Sequence, residues 1–552
     1  MSMCGGSRSS RQDGRRDVQK GRPRRALAAC GVALAALAAL PACSTLSGLV
    51  DETEPVVVVP QSPADGPDGR ADWVTYAPDA LPSTDWIAEF DDPALTRLVA
   101  EATRENPSLR RAVAQFDSSL ANARITRAGL YPQLGGSGRV DRLEGGTDFL
   151  AGQTQYNLGL SASWEVDLFG RIRDGFDADI AGAQASAADL AGVRLSVATQ
   201  VAQTWFDAIE ADLLVRLSRR DIETQERILR LTTRRFESGL TGGSDVRLAR
   251  SSLANSQALR EQRIQVRNAT LRQLQALLRD YPDADVNLPE DLPGLPLLEG
   301  AAGPVWALTH RPDMIAAEYR IAEAGLDVDA ARKLLLPTLT LNAGASEQAL
   351  NLGDALDLAN IAYQIGEQLT APIFQAGRIR AQIDATRAQL DARIETYVET
   401  AITAFTEVEN ALDAEARLSA REAALRVSLD EAEAAEERLQ LRYAEGLATI
   451  LQLLDAQTRV LNAESQLINA RAERLASRVR LHAALGGGEL GAISPVTVAP
   501  LDLPLVGPVG NGGTELVGPG PVRVGAPVSG DPADAAVATP IASTPSSSGS
   551  AG

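Results

Sequence analysis

Three observations predict a mainly α fold with a smaller β part, built from an internally duplicated chain. The stretch from Gly377 to Gly446 holds no proline and no interior glycine, and apolar residues recur at Ile379, Ile383, Leu390, Ile394, Tyr397, Ala401, Phe405, Val408 and Leu412. Steps of three, four and seven place them on one stripe of a helix. At 1.5 Å per residue that helix, 377–445, is about 100 Å long, which suits a coiled-coil scaffold and no globular core. The second observation is a repeat. Gly170-Arg171-Ile172-Arg173 matches Gly377-Arg378-Ile379-Arg380, and Arg235-Phe236-Glu237-Ser238-Gly239-Leu240 matches Arg442-Tyr443-Ala444-Glu445-Gly446-Leu447. The two glycines are 69 residues apart in each copy, and Pro107–Pro132 and Pro312–Pro337 are both 25 apart. The third observation is period-two alternation in short segments ahead of each long helix.

Composition narrows the function. Of 552 residues only 4% are aromatic, and alanine is abundant, as long close-packed helices require. Cys4, Cys30 and Cys43 are the only cysteines, so the chain beyond residue 43 has no disulfide framework and no cysteine metal site. His310 and His482 are the only histidines and read as structural or surface residues. Residues 1–42 carry a net charge of +6, which leaves −25 for the remainder. An acidic body excludes nucleic acid as a partner, because phosphates demand basic patches.

The elements follow in order. Residues 1–42 resemble a lipoprotein signal peptide: a basic region ending at Arg25, an apolar run from Ala26 to Leu40, then Leu40-Pro41-Ala42-Cys43-Ser44. The resemblance makes Cys43 the lipidated first residue. Leu27-Ala28-Ala29-Cys30 fits the same short motif but follows Arg25 too closely, and the run is too short for a spanning helix. Residues 43–85 read as an acylated tether. Repeat 1, 86–290, opens at Trp86. Asp92 and Pro93 start a helix that breaks at Asn106-Pro107 and continues to Gly129. Strands are expected at about 133–142 and 157–168. In the second, Leu158, Leu160, Ala162, Trp164, Val166 and Leu168 share one face. The long helix 170–238, a turn at Gly239-Leu240 and a return helix 244–279 capped by Ser244 complete the repeat. After a Pro- and Leu-rich connector, repeat 2, 305–488, brings a helix at 312–335, strands at about 338–346 and 361–373, the long helix 377–445 and a return helix 449–485. Residues 489–552 read as a disordered low-complexity tail.

Twelve alternating residues can cross a bilayer as a tilted strand, which takes about 9–11. Strands sit in lipid only as a closed barrel, and four cannot close one. Copies of the chain must therefore pool strands, and three copies give twelve. The other reading of the same periodicity is a small soluble sheet on a coiled-coil rod.

The chain resembles a TolC-type outer-membrane efflux protein of the lipoprotein branch that serves resistance-nodulation-division (RND) pumps. The motifs are Trp86…Phe90-x-Asp92-Pro93-x-Leu95, Asn106-Pro107, Trp164-Glu165-Val166-Asp167-Leu168-Phe169-Gly170, Arg442-Tyr443-x-x-Gly446, Leu454-Asp455-Ala456-Gln457 and Leu485-Gly486-Gly487-Gly488, across residues 84–488. The resemblance implies a homotrimer with a 12-stranded outer-membrane β-barrel and a periplasmic α-barrel. It implies a periplasmic membrane-fusion adaptor and an inner-membrane RND pump as partners. Gly239, Leu240, Gly446 and Leu447 then form the tips that meet the adaptor, and Leu451 and Asp455 narrow the periplasmic gate. Leu451 also reads as a core residue and Asp455 as a solvated one. The family's gate arginine falls at Thr458, with Arg459 one place on, which puts an Asp–Arg latch in question.

The function that follows is passive export of drugs or other small solutes. A duct for type I protein secretion and a structural envelope lipoprotein are the alternatives. No enzyme is expected: Gly486-Gly487-Gly488 lacks the Lys and Ser/Thr of a phosphate loop, and no catalytic set or cofactor motif stands out.

Overall fold

A computed structural model describes residues 73–75, 81–142, 154–298, 300–357 and 361–493. The signal segment, Cys43, most of the tether, the loop 143–153 and the tail from residue 494 lie outside the described residues.

Repeat 1 begins with a 3-10 turn, Ala88–Phe90, and two helices, α1 (Pro93–Glu105) and α2 (Pro107–Ala128). Asp92 caps α1 by accepting from the amides of Ala94 (2.9 Å) and Leu95 (3.1 Å). Its second oxygen accepts from Trp205 Nε1 at 2.7 Å, so the cap also pins the helix to the core. Asn106 caps α2 in the same manner and donates to the Leu277 carbonyl. Then come β1 (Gln133–Arg142), β2 (Thr154–Val166), the 67-residue α3 (Arg171–Glu237) and its return helix α4 (Gly243–Leu278).

Repeat 2 holds α5 (Pro304–His310), α6 (Pro312–Lys333), β3 (Thr338–Ala349), a single turn α7 (Leu352–Ala355), β4 (Ala362–Thr370), the 67-residue α8 (Arg378–Ala444) and α9 (Ile450–Ala484). A 3-10 turn, Gly488–Gly491, follows. No helix among the described residues is long and apolar enough to cross a membrane.

Several boundaries differ from the periodicity reading. β2 stops at Val166, short of Leu168, because the Asp167 carboxylate turns to accept from the amides of Ile172 (3.2 Å) and Arg173 (3.0 Å) at the start of α3. β4 ends at Thr370 rather than 373; Pro372 has no N–H to give a ladder. β3 runs three residues further, to Ala349. Ser244 does not cap α4: the N-cap residue is Gly242, without a side-chain bond. Thr449, by contrast, caps α9 in a full capping box with Gln452. Repeat 2 also opens with a short helix that the sequence reading did not include, α5, started by Pro304 at its first turn.

The four strands form one antiparallel sheet in the order β1-β2-β3-β4. The long helices pack as hairpins, α3 with α4 and α8 with α9, and the hairpins meet where α9 lies along α3. The main core sits mid-length: Trp86, Phe90, Leu95, Trp205, Phe206 and Leu475 are all buried there. The glycines expected only to end α9 have a packing role as well. A Cβ on Gly488 would lie 2.2 Å from the Thr84 carbonyl oxygen, and one on Gly487 2.1 Å from Leu195. The amide of Glu489 donates to the same Thr84 oxygen, so the end of repeat 2 closes against the start of repeat 1.

Candidate functional site

The sheet is two-faced. Its register aligns Leu134, Ala162, Ala343 and Ile365 in one row and Gly136, Leu160, Ala345 and Tyr363 in the next. Trp164, Leu341, Val166, Leu339 and Leu369 continue that face. Glu347 and Glu367 interrupt it; Glu367 stands opposite Leu341. The other face carries Ser163, Asn342 and Gly366, then Ser161, Gly344 and Gln364. Its charged members sit near the strand ends and are paired, Arg139 with Asp141 and Glu165 with Arg171. The apolar face is open in the single chain: Leu160 is 69% exposed and Ile365 91%. Within the chain, β1 and β4 each pair along one edge only.

At the opposite end of the long helices lie the two hairpin tips. Gly239 (φ +71°) and Gly446 (φ +81°) take the left-handed conformation that reverses each chain. In both, the C-terminal turn closes with the same pair of bonds. Leu240 N donates to Arg235 O and Gly239 N to Phe236 O; Leu447 N donates to Arg442 O and Gly446 N to Tyr443 O. Leu240 and Leu447 are exposed at these tips.

The tips are joined by a contact with no local sequence signal. Arg235 Nη1 donates to the carbonyls of Tyr443 (2.7 Å) and Ala444 (3.1 Å) at the C-terminal end of α8. Its guanidinium lies 5.0 Å over the Tyr443 ring. The hydroxyls of Thr232 and Tyr443 share a hydrogen bond of 3.0 Å, buried beside Ile228, Ala249, Ile450 and Leu453.

Leu451 and Asp455 lie one turn apart at the start of α9. Leu451 is 61% exposed, which removes the core-packing reading within this chain, whereas its neighbours Ile450 and Leu453 are buried. Asp455 pairs with Arg459 of its own helix at 2.9 Å, with both side chains exposed. The Thr458 hydroxyl donates instead to the Leu454 carbonyl. Arg459, one place on, pairs with Asp455 as an i,i+4 pair within one helix, and among the described residues no ion pair joins Asp455 to another helix.

Between sheet and tips the helices carry buried charge that motif reading missed. Arg474 bridges Glu415 (3.1 Å) and Glu422 (2.6 Å), tying α9 to α8. Glu210 on α3 is pushed up to about 7 by burial, and further by Asp207 and Glu473. With its amide turned to donate, Asn469 bonds Glu210 Oε1 at 2.9 Å. No group of side chains suited to holding a metal ion occurs among the described residues.

Comparison with known proteins bears on this geometry. The profile of a family described as "Outer membrane efflux protein" matches residues 98–279 and 304–487, one match per repeat. The chain is 30% identical over 459 residues to the probable efflux pump outer membrane protein TtgC of Pseudomonas putida, covering 81% of this chain and 93% of that protein. It is 32% identical over 430 residues to the pyoverdine export outer membrane protein OpmQ of Pseudomonas aeruginosa, covering 74% and 88%. Among solved structures, the outer-membrane channel OprN superposes with a TM-score of 0.68 at 26% identity, covering 76% of this chain and 94% of that one. The open state of the MtrE outer membrane channel of Neisseria gonorrhoeae gives 0.65 at 28%, covering 76% and 97%.

Proposed function

The chain belongs to the outer membrane efflux protein family, and on that premise we propose that it is the outer-membrane channel of a tripartite RND-type efflux system. It conducts drugs or other small solutes passively from the periplasm to the exterior. The sheet lies in the outer membrane and the helix hairpins extend into the periplasm.

The observation that carries this is the sheet with one apolar face, one polar face and two unpaired edges. Facing lipid, the apolar side is stable only if β4 of one copy pairs with β1 of the next. Three copies close twelve strands with the polar face inward, and the twelve long helices extend the tube. The four exposed tip residues, Gly239, Leu240, Gly446 and Leu447, are the surface offered to a periplasmic adaptor. Leu451 and Asp455 line the mouth between them, where three exposed copies of each meet near the axis. Cys43 carries the lipid that holds the chain to the membrane. An inner-membrane pump supplies the energy.

The test is the mass of the detergent-purified protein together with its conductance in planar bilayers. Three chains and a discrete pore are expected; a monomer without conductance overturns the reading. Deleting the gene is expected to raise retention of dyes and drugs. Unchanged retention with loss of a secreted protein would favour the type I secretion duct.

A further inference from the structure

The internal duplication supplies one contact inside the chain and leaves its two halves unmatched at the chain's edges. Inside, Arg235 at the end of α3 holds the carbonyls of Tyr443 and Ala444 at the end of α8. Gly170 and Gly377 are 207 residues apart, as are Gly239 and Gly446. Moving the contact by that offset turns the donor Arg235 into Arg442 and the hydroxyl partner Thr232 into Leu439. Moving its acceptors back turns Tyr443 into Phe236 and Ala444 into Glu237.

Three of those four residues, Arg442, Phe236 and Glu237, are exposed, and Leu439 is half-buried, with one side against the tip cluster of its own chain. Arg442 is exposed, and its guanidinium makes one long hydrogen bond, 3.4 Å to the Leu447 carbonyl of its own turn. Phe236 is 48% exposed and Glu237 is exposed. The Phe236 carbonyl accepts the Gly239 amide, just as Tyr443 accepts that of Gly446, which leaves the same lone pair that Arg235 uses in the inner contact.

The substitutions between the two sites are matched. The inner contact joins two hydroxyls, Thr232 and Tyr443. The outer residues, Leu439 and Phe236, both lack one, so neither leaves a buried polar atom unpaired when they meet. Ala444, a neutral acceptor, is replaced by Glu237, whose carboxylate adds attraction for an arginine that has no intramolecular partner of opposite charge at the tip.

We infer that Arg442 of one subunit clamps the first hairpin tip of the next, donating to the Phe236 and Glu237 carbonyls, with Leu439 against the Phe236 ring. The occupant of this surface is a second copy of the chain. The inference rests on the trimer proposed above and specifies how its helical mouth is closed around the ring. The six tips are then joined by alternating contacts of one kind, three within chains and three between them.

Cysteine pairs test it in intact outer membranes, since no native cysteine lies beyond residue 43. Under mild oxidation, Thr232→Cys with Tyr443→Cys forms a bond within one chain and runs as a monomer on a non-reducing gel. Phe236→Cys with Leu439→Cys is expected to link chains into dimers and trimers. Adding Arg442→Ala should lower that yield several-fold, and Arg442→Lys should restore part of it. Absence of interchain bonds in a protein of trimeric mass overturns the clamp while the trimer stands. A yield insensitive to Arg442→Ala overturns the role of the arginine. A monomeric mass removes both readings.

Discussion

The helices α3 and α8 are two copies of one element, each 67 residues long, with the same opening tetrapeptide and the same turn. Yet 25 residues of α3 are buried and only 10 of α8. Their return helices show the reverse, with 6 buried in α4 and 16 in α9. Sequence character does not explain the difference; position does. α3 lies between α6 and α9 of its own chain. The repeat-equivalent neighbours of α8 are α2 and α4, which within one chain are already on the far side. A chain built this way has an inner half that is finished and two outer edges that wait for another copy.

The comparison can be broken most severely at α3. Leu195 and Ile402 are 207 residues apart and occupy equivalent positions, but Leu195 is 7% exposed and Ile402 57%. Leu195→Ala should cost about 2–5 kcal/mol of folding stability, the range for a truncated core leucine. Ile402→Ala should change monomer folding by less than about 0.5 kcal/mol and act on the resistance of the oligomer to heat and detergent instead. Thermal unfolding followed by circular dichroism, with gel mobility of unheated samples, separates the two. Equal losses of folding stability would remove the distinction between inner and edge helices.

A somewhat smaller effect is expected where α8 does have an internal partner. Arg474→Ala leaves Glu422, 7% exposed, with one of its two arginines, the exposed Arg426. A loss of about 2–4 kcal/mol is expected in the unfolding of the hairpin α8–α9.

The third prediction concerns pH. Glu210 has a folded-state pKa of about 7, above its unfolded value, so the folded protein binds the extra proton between them. Stability attributable to this group is present below about pH 4.5, declines as pH rises toward 7 and is level above. Glu210→Gln should flatten that decline and raise the melting temperature at pH 8 relative to the parent, by an effect of about 1–2 kcal/mol. A parent protein with no decline across that window would show that Glu210 is ionised without cost.

The smallest contrast is at the tips. Gly239→Ala and Gly446→Ala both place a side chain in the left-handed region, at about 1 kcal/mol each. A Cβ on Gly239 meets nothing within 4 Å, while one on Gly446 lies 3.4 Å from Arg235 Nη2. That distance is an ordinary van der Waals contact, so the two substitutions should lower the melting temperature equally, and a clear excess at Gly446 would show that the Arg235 contact is disturbed.

What the sequence made legible was whatever repeats at short range. The stripe through Ile379, Ile383 and Val408 and the alternation through Leu158, Leu160 and Ala162 gave the long helix and the strand, because each is a local period. Asp92 before Pro93 announced its helix for the same reason. Ser244 misled because a serine near a turn is a good cap by statistics, and the turn itself settled on Gly242. Asp167 fits the strand by its period, although its carboxylate serves the following helix. The link between Arg235 and Tyr443 could not be read locally, since it joins residues 208 apart. Its trace was present only as a comparison of the two tip hexapeptides. Leu451 stood between two readings because Ile450 and Leu453 beside it have the same apolar character and are buried.

The polar side of the sheet has a consequence for what passes along it. Across its middle it offers Ser163, Asn342, Gly366, Ser161, Gly344 and Gln364, short neutral groups that hydrogen-bond water readily and carry no ionic charge. A solute moving past them keeps its hydration and finds no counter-ion to delay it. In the proposed tube the middle of the sheet would therefore favour neither cations nor anions, and the fixed charge on that face is confined to the pairs Arg139–Asp141 and Glu165–Arg171 near the strand ends.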